Sequence, residues 1–262
     1  MRITFYKYQG TGNDFILIDQ INHPAIDRPL NANLISKLCD RKFGIGADGL
    51  ILLQKHPQYD FEMVYYNPDG SQSLCGNGSR CAVHLANQLG IINIHANFLA
   101  IDGPHQAYMQ DGLIYLAMHD VSTIQTIEND YFLDNGSPHY VRFIDNLEEI
   151  DVLNMGKMIN QMINYQVSFQ NTATNVNFVK LEKNNQISMR TYERGVNNET
   201  LSCGTGAVAA ALVASAKGYV SPIHIRTRGG DLQVSFVKQN ALFKNIYLIG
   251  PAMQVFQGKI SV

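Results

Sequence analysis

LCGNGSR occupies residues 74–80 and SCGTGA residues 202–207, and each sets a cysteine before a glycine, a small polar residue and a second glycine. Each then runs into a helix-like segment. After the first, Cys81, Ala82, Leu85, Ala86 and Leu89 recur at helical spacing and predict a helix over 79–89. After the second, GAVAAALVASAKG predicts a helix over 206–217 that is apolar nearly all round. Such a helix must be enclosed on every side, and a strongly curved sheet wrapped around it would do that.

Working outward from the two motifs, the flanking segments run alike. In the first half, strands are predicted at 1–8 and 15–19, a helix at 31–42, a loop FGIGADG at 43–49, and strands at 50–54 and 61–66. The loop NPDGSQS leads to the first motif, and strands at 97–101, 105–110 and 113–118 follow its helix, with Asp-Gly turns between them. In the second half come a strand at 139–144, a helix at 150–163, and strands at 175–181 and 186–193. The loop RGVNNETLS then leads to the second motif, and strands at 224–227, 232–237, 242–249 and 254–260 follow. The repeated plan is economically an internal duplication with its seam near 118–127. The expected fold is α/β (α+β): two similar domains, 1–118 and 119–252, pseudo-twofold related, each a β-barrel-like curved sheet around a central helix.

Composition excludes other classes. With 45% hydrophobic and 16% charged residues in 262, a packed core is expected and disorder is not. A net charge of −2 and no basic block argue against nucleic acid as a partner. The opening MRITFYKYQG alternates like a strand and lacks an apolar signal core, and no apolar run is long enough for a membrane span. A reducing cytoplasm is the expected compartment. The cysteines Cys39, Cys75, Cys81 and Cys203 form no C-x-x-C pair and no common zinc pattern, so no metal is expected. Cys39 and Cys81 suit buried, inert thiols, whereas the glycines around Cys75 and Cys203 do not.

The first turn of a helix carries backbone N–H groups without intrahelical partners and the positive end of the helix dipole. Glycines let a carboxylate or phosphate approach that backbone. A cysteine just before the turn feels the same field, which stabilises its thiolate. One such motif alone reads as capping; two in equivalent places of a duplicated chain do not. A pseudo-twofold would set the two helix starts face to face across a cleft, with one sulfur removing a proton from a carbon and the other delivering one to its opposite face.

At these residues the sequence resembles the diaminopimelate epimerases, cofactor-independent amino-acid epimerases of lysine and peptidoglycan-precursor biosynthesis. The resemblance covers nearly the whole chain. It runs through GTGNDF at 10–15, RKFGIGADG at 41–49, YNPDGSQSLCGNGSRC at 66–81, GSPH at 136–139, TNVNF at 174–178 and YERGVNNETLSCGTGA at 192–207. It implies interconversion of LL- and meso-diaminopimelate with neither pyridoxal phosphate nor metal. It implies Cys75 and Cys203 as the acid/base thiols, and Gly76-Asn77 and Gly204-Thr205 as cradles for the reacting carboxylate. His139 and Glu193 would assist the thiols, by accepting a thiol proton and by holding the substrate ammonium. Asn13, Asn67, Asn175 and Arg194 would bind substrate, with Arg194 suited to a bidentate carboxylate grip. It also implies that a C-terminal strand, about 253–262, returns to the first domain. A homodimer is left open.

Two positions depart from the family pattern. Gly49 stands where some members carry Gln, and Ser137 where many carry Asn; Ser137 would reach the distal end of a substrate less far. Another amino-acid racemase on the same fold, taking a shorter substrate, is therefore an alternative. A thiol redox protein and a non-catalytic amino-acid binder are others. The turn GTGNDF lacks the third glycine and following helix of a nucleotide fingerprint.

Overall fold

The computed structural model describes residues 2–24, 30–166 and 173–261. The chain divides into two compact units, residues 1–116 with 250–262, and residues 117–249.

The first unit opens with β1 (Arg2–Gly10) and β2 (Asn13–Asp19), an antiparallel hairpin closed by Thr11-Gly12. Both turn residues have positive φ, 49° and 83°, the type I′ geometry that matches strand twist. Helix α1 (Ala32–Cys39) leads to β3 (Gly49–Gln54), which pairs parallel to β2; β4 (Phe61–Tyr66) then pairs antiparallel to β3. Helix α2 (Gly76–Gln88) crosses to β5 (His95–Ala100), parallel to β4, and β6 (Gly103–Gln110) and β7 (Leu113–Met118) complete an antiparallel meander.

The second unit holds β8 (Gln125–Ile127), β9 (Asp130–Asp134), β10 (Pro138–Phe143), α3 (Val152–Gln166), β11 (Asn175–Leu181) and β12 (Gln186–Glu193). After β13 (Asn198–Thr200) come α4 (Gly204–Ala214), β14 (Ile223–Thr227), β15 (Gly230–Gln239) and β16 (Leu242–Gly250). From β9 the pairings run antiparallel to β10, parallel to β11, antiparallel to β12, parallel to β14, then antiparallel to β15 and β16. This is the sequence of pairings from β1 to β7. The duplication read from the two motifs is therefore a duplication of sheet topology, with α2 and α4 as equivalent crossovers. The last strand, β17 (Met253–Ser261), pairs antiparallel to β1 in the first unit. Met1 and Val262, included in the expected terminal strands, lie outside the described residues.

Within each unit the motif helix is the enclosed one. Every residue of α4 except Thr205 is buried, and its Ala, Val and Leu side chains pack among Val141, Val179, Ile187, Ile225 and Val234 from the surrounding strands. Helix α2 is buried from Gly76 to Ala86 apart from His84. Helices α1 and α3 cover other sheet faces: Ile35 and Leu38 pack on Ile16, Ile18 and Leu52, and Val152 and Ile159 on Val176, Phe178 and Tyr192.

Some boundaries differ from expectation. Helix α1 stops at Cys39 because Asp40 turns extended and its carboxylate accepts the amides of Lys42 and Phe43. The β8–β9 hairpin was not foreseen: its turn contains Glu128 at φ 55° and no glycine. Helices α2 and α4 start at the first glycine of each motif, ahead of the apolar periodicity, because their first turns are capped by the cysteine sulfurs and carry no large apolar side chain to extend the pattern.

Candidate active site

Cys75 and Cys203 are the N-cap residues of α2 and α4, with nearly the same backbone conformation: φ −132°, ψ 111° and φ −119°, ψ 114°. In each case the sulfur takes the place usually held by a Ser or Asp oxygen. Gly78 N–H donates to Cys75 Sγ at 3.5 Å and Gly206 N–H to Cys203 Sγ at 3.3 Å. The carbonyls of Cys75 and Cys203 accept the first intrahelical bonds, from Ser79 and Ala207. The amides of Gly76, Asn77, Gly204 and Thr205 come earlier in the turn, where an α-helix supplies no acceptor of its own.

In the first unit, Asn13 and Asn77 lie with Cys75. Cys75 Sγ donates to Asn13 Oδ1 at 3.5 Å, and Asn77 Nδ2 donates to the same oxygen at 3.4 Å. Asn13 Nδ2 in turn donates to Asp48 Oδ2 at 2.6 Å. Asn67 stands at the head of the loop that delivers Cys75, where its amide donates to Ser71 and Ser73. Beneath the cradle, Arg80 is fully buried: Nη2 donates to Thr11 Oγ1 at 3.2 Å and Nε to the Pro251 carbonyl at 3.4 Å. Its Nη1 has no hydrogen-bond partner among the described residues. Burial pushes the Arg80 pKa down, opposed by nearby Cys81 and Cys75. Burial also pushes Cys81 well above the usual thiol range and Cys39 up to about 11, as inert thiols require.

In the second unit, Thr205 Oγ1 lies 3.6 Å from Cys203 Sγ, and Asn135 Nδ2 donates to the Thr205 carbonyl at 2.9 Å. Asn175 Nδ2 donates to Ser137 Oγ at 3.0 Å while its oxygen accepts the Arg194 backbone N–H at 3.0 Å. Glu193 Oε1 accepts from Thr200 Oγ1, and Arg194 Nη1 donates to the Ala173 carbonyl at 3.3 Å. The substrate-recognition candidates Ser137, Asn175 and Arg194 thus form one connected group.

His139 is fully buried, and its tautomer is fixed by its neighbours. Asn177 Nδ2 donates to the Tyr140 carbonyl at 3.0 Å, so the same amide nitrogen must be the donor toward His139 Nδ1 at 3.2 Å. The neutral ring therefore carries its proton on Nε2, which has no partner among the described residues. Burial, reinforced by the charge of Arg194, pushes the His139 pKa down to about 3. In this arrangement the imidazole is a hydrogen-bond donor; the expected role of accepting a thiol proton would need a different tautomer.

Sequence reasoning missed Asp48, Arg80, Asn135 and Asn177. Asp48 and Arg80 lie inside the quoted motifs, and Asn177 is two residues from Asn175 on the same strand, so the period-two pattern carried a signal. The Gly49 departure has a structural cause. A Cβ at residue 49 would stand 2.3 Å from Tyr65 Cε2 and 2.7 Å from its hydroxyl oxygen, so Tyr65 fills the space a larger residue would need.

The fold is that of the racemase- and PhzF-like two-unit proteins. A phenazine biosynthesis protein of the PhzF family from Bacillus anthracis superposes with a TM-score of 0.74 at 12% identity, covering all of both chains. A hydroxyproline epimerase from Agrobacterium vitis does so with a TM-score of 0.69 at 13% identity, covering 100% of this chain and 93% of that one. Sequence narrows the class. The family model for diaminopimelate epimerase matches residues 5–103 and 131–255. The diaminopimelate epimerase of Flavobacterium psychrophilum is 50% identical over 259 residues, 97% of this chain and 99% of that protein. That of Aquifex aeolicus is 35% identical over 98% of this chain and 97% of that protein. The chain belongs to the diaminopimelate epimerase family.

Proposed function

We propose that this protein interconverts LL- and meso-diaminopimelate by a two-base mechanism with Cys75 and Cys203, independently of pyridoxal phosphate. The observation that carries the reading is the matched pair of sulfur N-caps on equivalent crossover helices. Inversion at carbon needs a proton taken from one face and another given to the opposite face. One sulfur, as thiolate, takes the α-proton; the other, as thiol, gives its own. The amides of Gly76-Asn77 and Gly204-Thr205 hold the adjacent carboxylate and take up the negative charge that builds on it.

The remaining roles follow the donor and acceptor inventory. Arg194, set by Asn175 and the Ala173 carbonyl, grips a substrate carboxylate. Glu193, held by Thr200, receives an ammonium. Asn13, Asn67 and Asn175 supply neutral polar contacts, Ser137 fixes Asn175, and His139 offers its Nε2–H. In this reading the halves are 1–118 with about 253–262, and 119–252. The setting is the cytoplasm, in lysine and peptidoglycan-precursor biosynthesis. No helix among the described residues is long and apolar enough to cross a membrane. A homodimer is tested by sedimentation equilibrium.

The decisive assay is turnover of LL-diaminopimelate in deuterated water beside a panel of amino acids lacking the distal amino-acid group. The reading requires deuterium at the inverted α-carbon and turnover confined to substrates with that group. Turnover of the shorter amino acids alone would instead support the alternative racemase.

A further inference from the structure

Asn13 sits between Cys75 and Asp48, and the orientation of its amide is dictated by chemistry. Its 2.6 Å contact to Asp48 Oδ2 can only be an N–H donating to a carboxylate, because a carboxylate oxygen has no proton to give. The amide oxygen is then turned to the Cys75 sulfur at 3.5 Å. Asp48 is itself anchored: Oδ1 pairs with Arg41 Nη2 at 2.7 Å and Oδ2 accepts the Asp14 backbone N–H at 3.2 Å. Arg41 also pairs with Asp14 at 2.6 Å, and Asp14 with Lys7 at 2.6 Å.

We propose that Asp48 is a positioning residue: it pins the Asn13 amide with its oxygen toward Cys75, and so holds that sulfur as the protonated thiol in the resting protein. A thiolate facing an amide oxygen would meet a second lone pair, whereas a thiol donates to it. The S–H goes to Asn13 and a sulfur lone pair to Gly78 N–H, so both sides of the thiol are used.

Other groups bear on the same sulfur. On α2 itself, the buried Arg80 cation favours the thiolate and Cys81 lies close enough to interact. Behind Asn13 stand the anions Asp48 and Asp14 and the cations Arg41 and Lys7. Gly78 N–H, 3.5 Å from the sulfur, favours the thiolate as Gly206 N–H does at Cys203; the Asn13 oxygen, at the same 3.5 Å, is the acceptor that sets the preference against that N–H, the helix field and Arg80. At Cys203 the corresponding neighbours include N–H of Gly206 and the Thr205 hydroxyl, which stabilise a thiolate. The resting pair is thus an acid at Cys75 and a base at Cys203. One turnover moves a proton onto Cys203 and one off Cys75, reversing the pair, and the Asp48–Asn13 contact favours its return.

The consequence for direction rests on the acid/base reading of both cysteines, but the test reads the sulfur itself and needs no turnover. In full-length protein carrying Cys203→Ala, the pH dependence of Cys75 alkylation by iodoacetamide is followed by peptide mass. Asp48→Ala removes the shorter of the two contacts that orient the Asn13 amide, leaving the 3.4 Å bond from Asn77, so that its N–H can turn onto the sulfur, and should lower the titration midpoint by about one unit. Asp48→Asn removes the charge but keeps an acceptor for Asn13, and should lower it much less. An unchanged or raised midpoint in Asp48→Ala would overturn the proposal, as would equal shifts in the two variants, which would mean charge alone. The wild-type protein must also show at neutral pH an infrared S–H band that Cys75→Ala removes, and its absence would overturn the proposal independently of any Asp48 variant. A protein that titrates as described but does not epimerise would sink the proposed function and leave this inference standing.

Discussion

Asn177 Oδ1 lies 2.4 Å from the point where a Cβ on Gly206 would stand. Asn177 cannot give way cheaply. It is fully buried and bonded to Tyr140, His139 and Thr191. Gly206→Ala is therefore expected to cost at least about 2 kcal/mol by denaturant unfolding, as overpacking with a displaced buried amide does. The equivalent change Gly78→Ala meets the Ile51 Cδ1 methyl at 3.0 Å, with Cys75 Cβ and Phe15 Cε1 at an ordinary 3.5 Å, and should cost clearly less. Equal costs would mean that Asn177 does not brace the second motif.

Gly49 and Tyr65 should be energetically coupled. Gly49→Ala forces the Tyr65 ring aside and should destabilise by about 1–3 kcal/mol. In a Tyr65→Leu background the same change should cost much less. A double-mutant cycle of unfolding free energies measures the coupling; additive costs would show that the ring does not occupy that space.

Acid should weaken the second unit through His139. Its folded pKa is about 3, below the unfolded value of about 6.5. The unfolded chain binds the extra proton between those limits, so stability falls as pH drops through that window and is intact above it. The expected loss between pH about 7 and about 5 is about 1–2 kcal/mol, and His139→Gln should flatten that slope whatever it does to stability at neutral pH. Asp14 does not contribute there: burial would raise its pKa, but Arg41 and Lys7 outweigh that and bring it to about 2. An unchanged slope in His139→Gln would contradict the buried neutral imidazole.

What the sequence made legible follows from which physics is local. Apolar periodicity and Asp-Gly turns are local, and they placed most strands and the enclosed character of α4. The duplicated motif then led to the two-unit plan, whose pairing order confirms the repeat. Caps are local too, but the glycine-rich first turns of α2 and α4 carry no apolar signal, so their starts appeared three and two residues late. Asp48, Arg80 and Asn177 escaped because their roles depend on partners far along the chain: Asn13, Pro251 and His139. Gly49 read as a lost contact, and only the cross-strand neighbour Tyr65 explains it.

Cys75 and Cys203, as halves of one acid/base pair, must both be needed for inversion, which is measured by the rate of LL-to-meso conversion in Cys75→Ala and Cys203→Ala, with folding checked by circular dichroism. Each variant should lose at least about 100-fold, the usual scale for removing a general acid or base. Inversion at the wild-type rate by either folded variant would contradict the account.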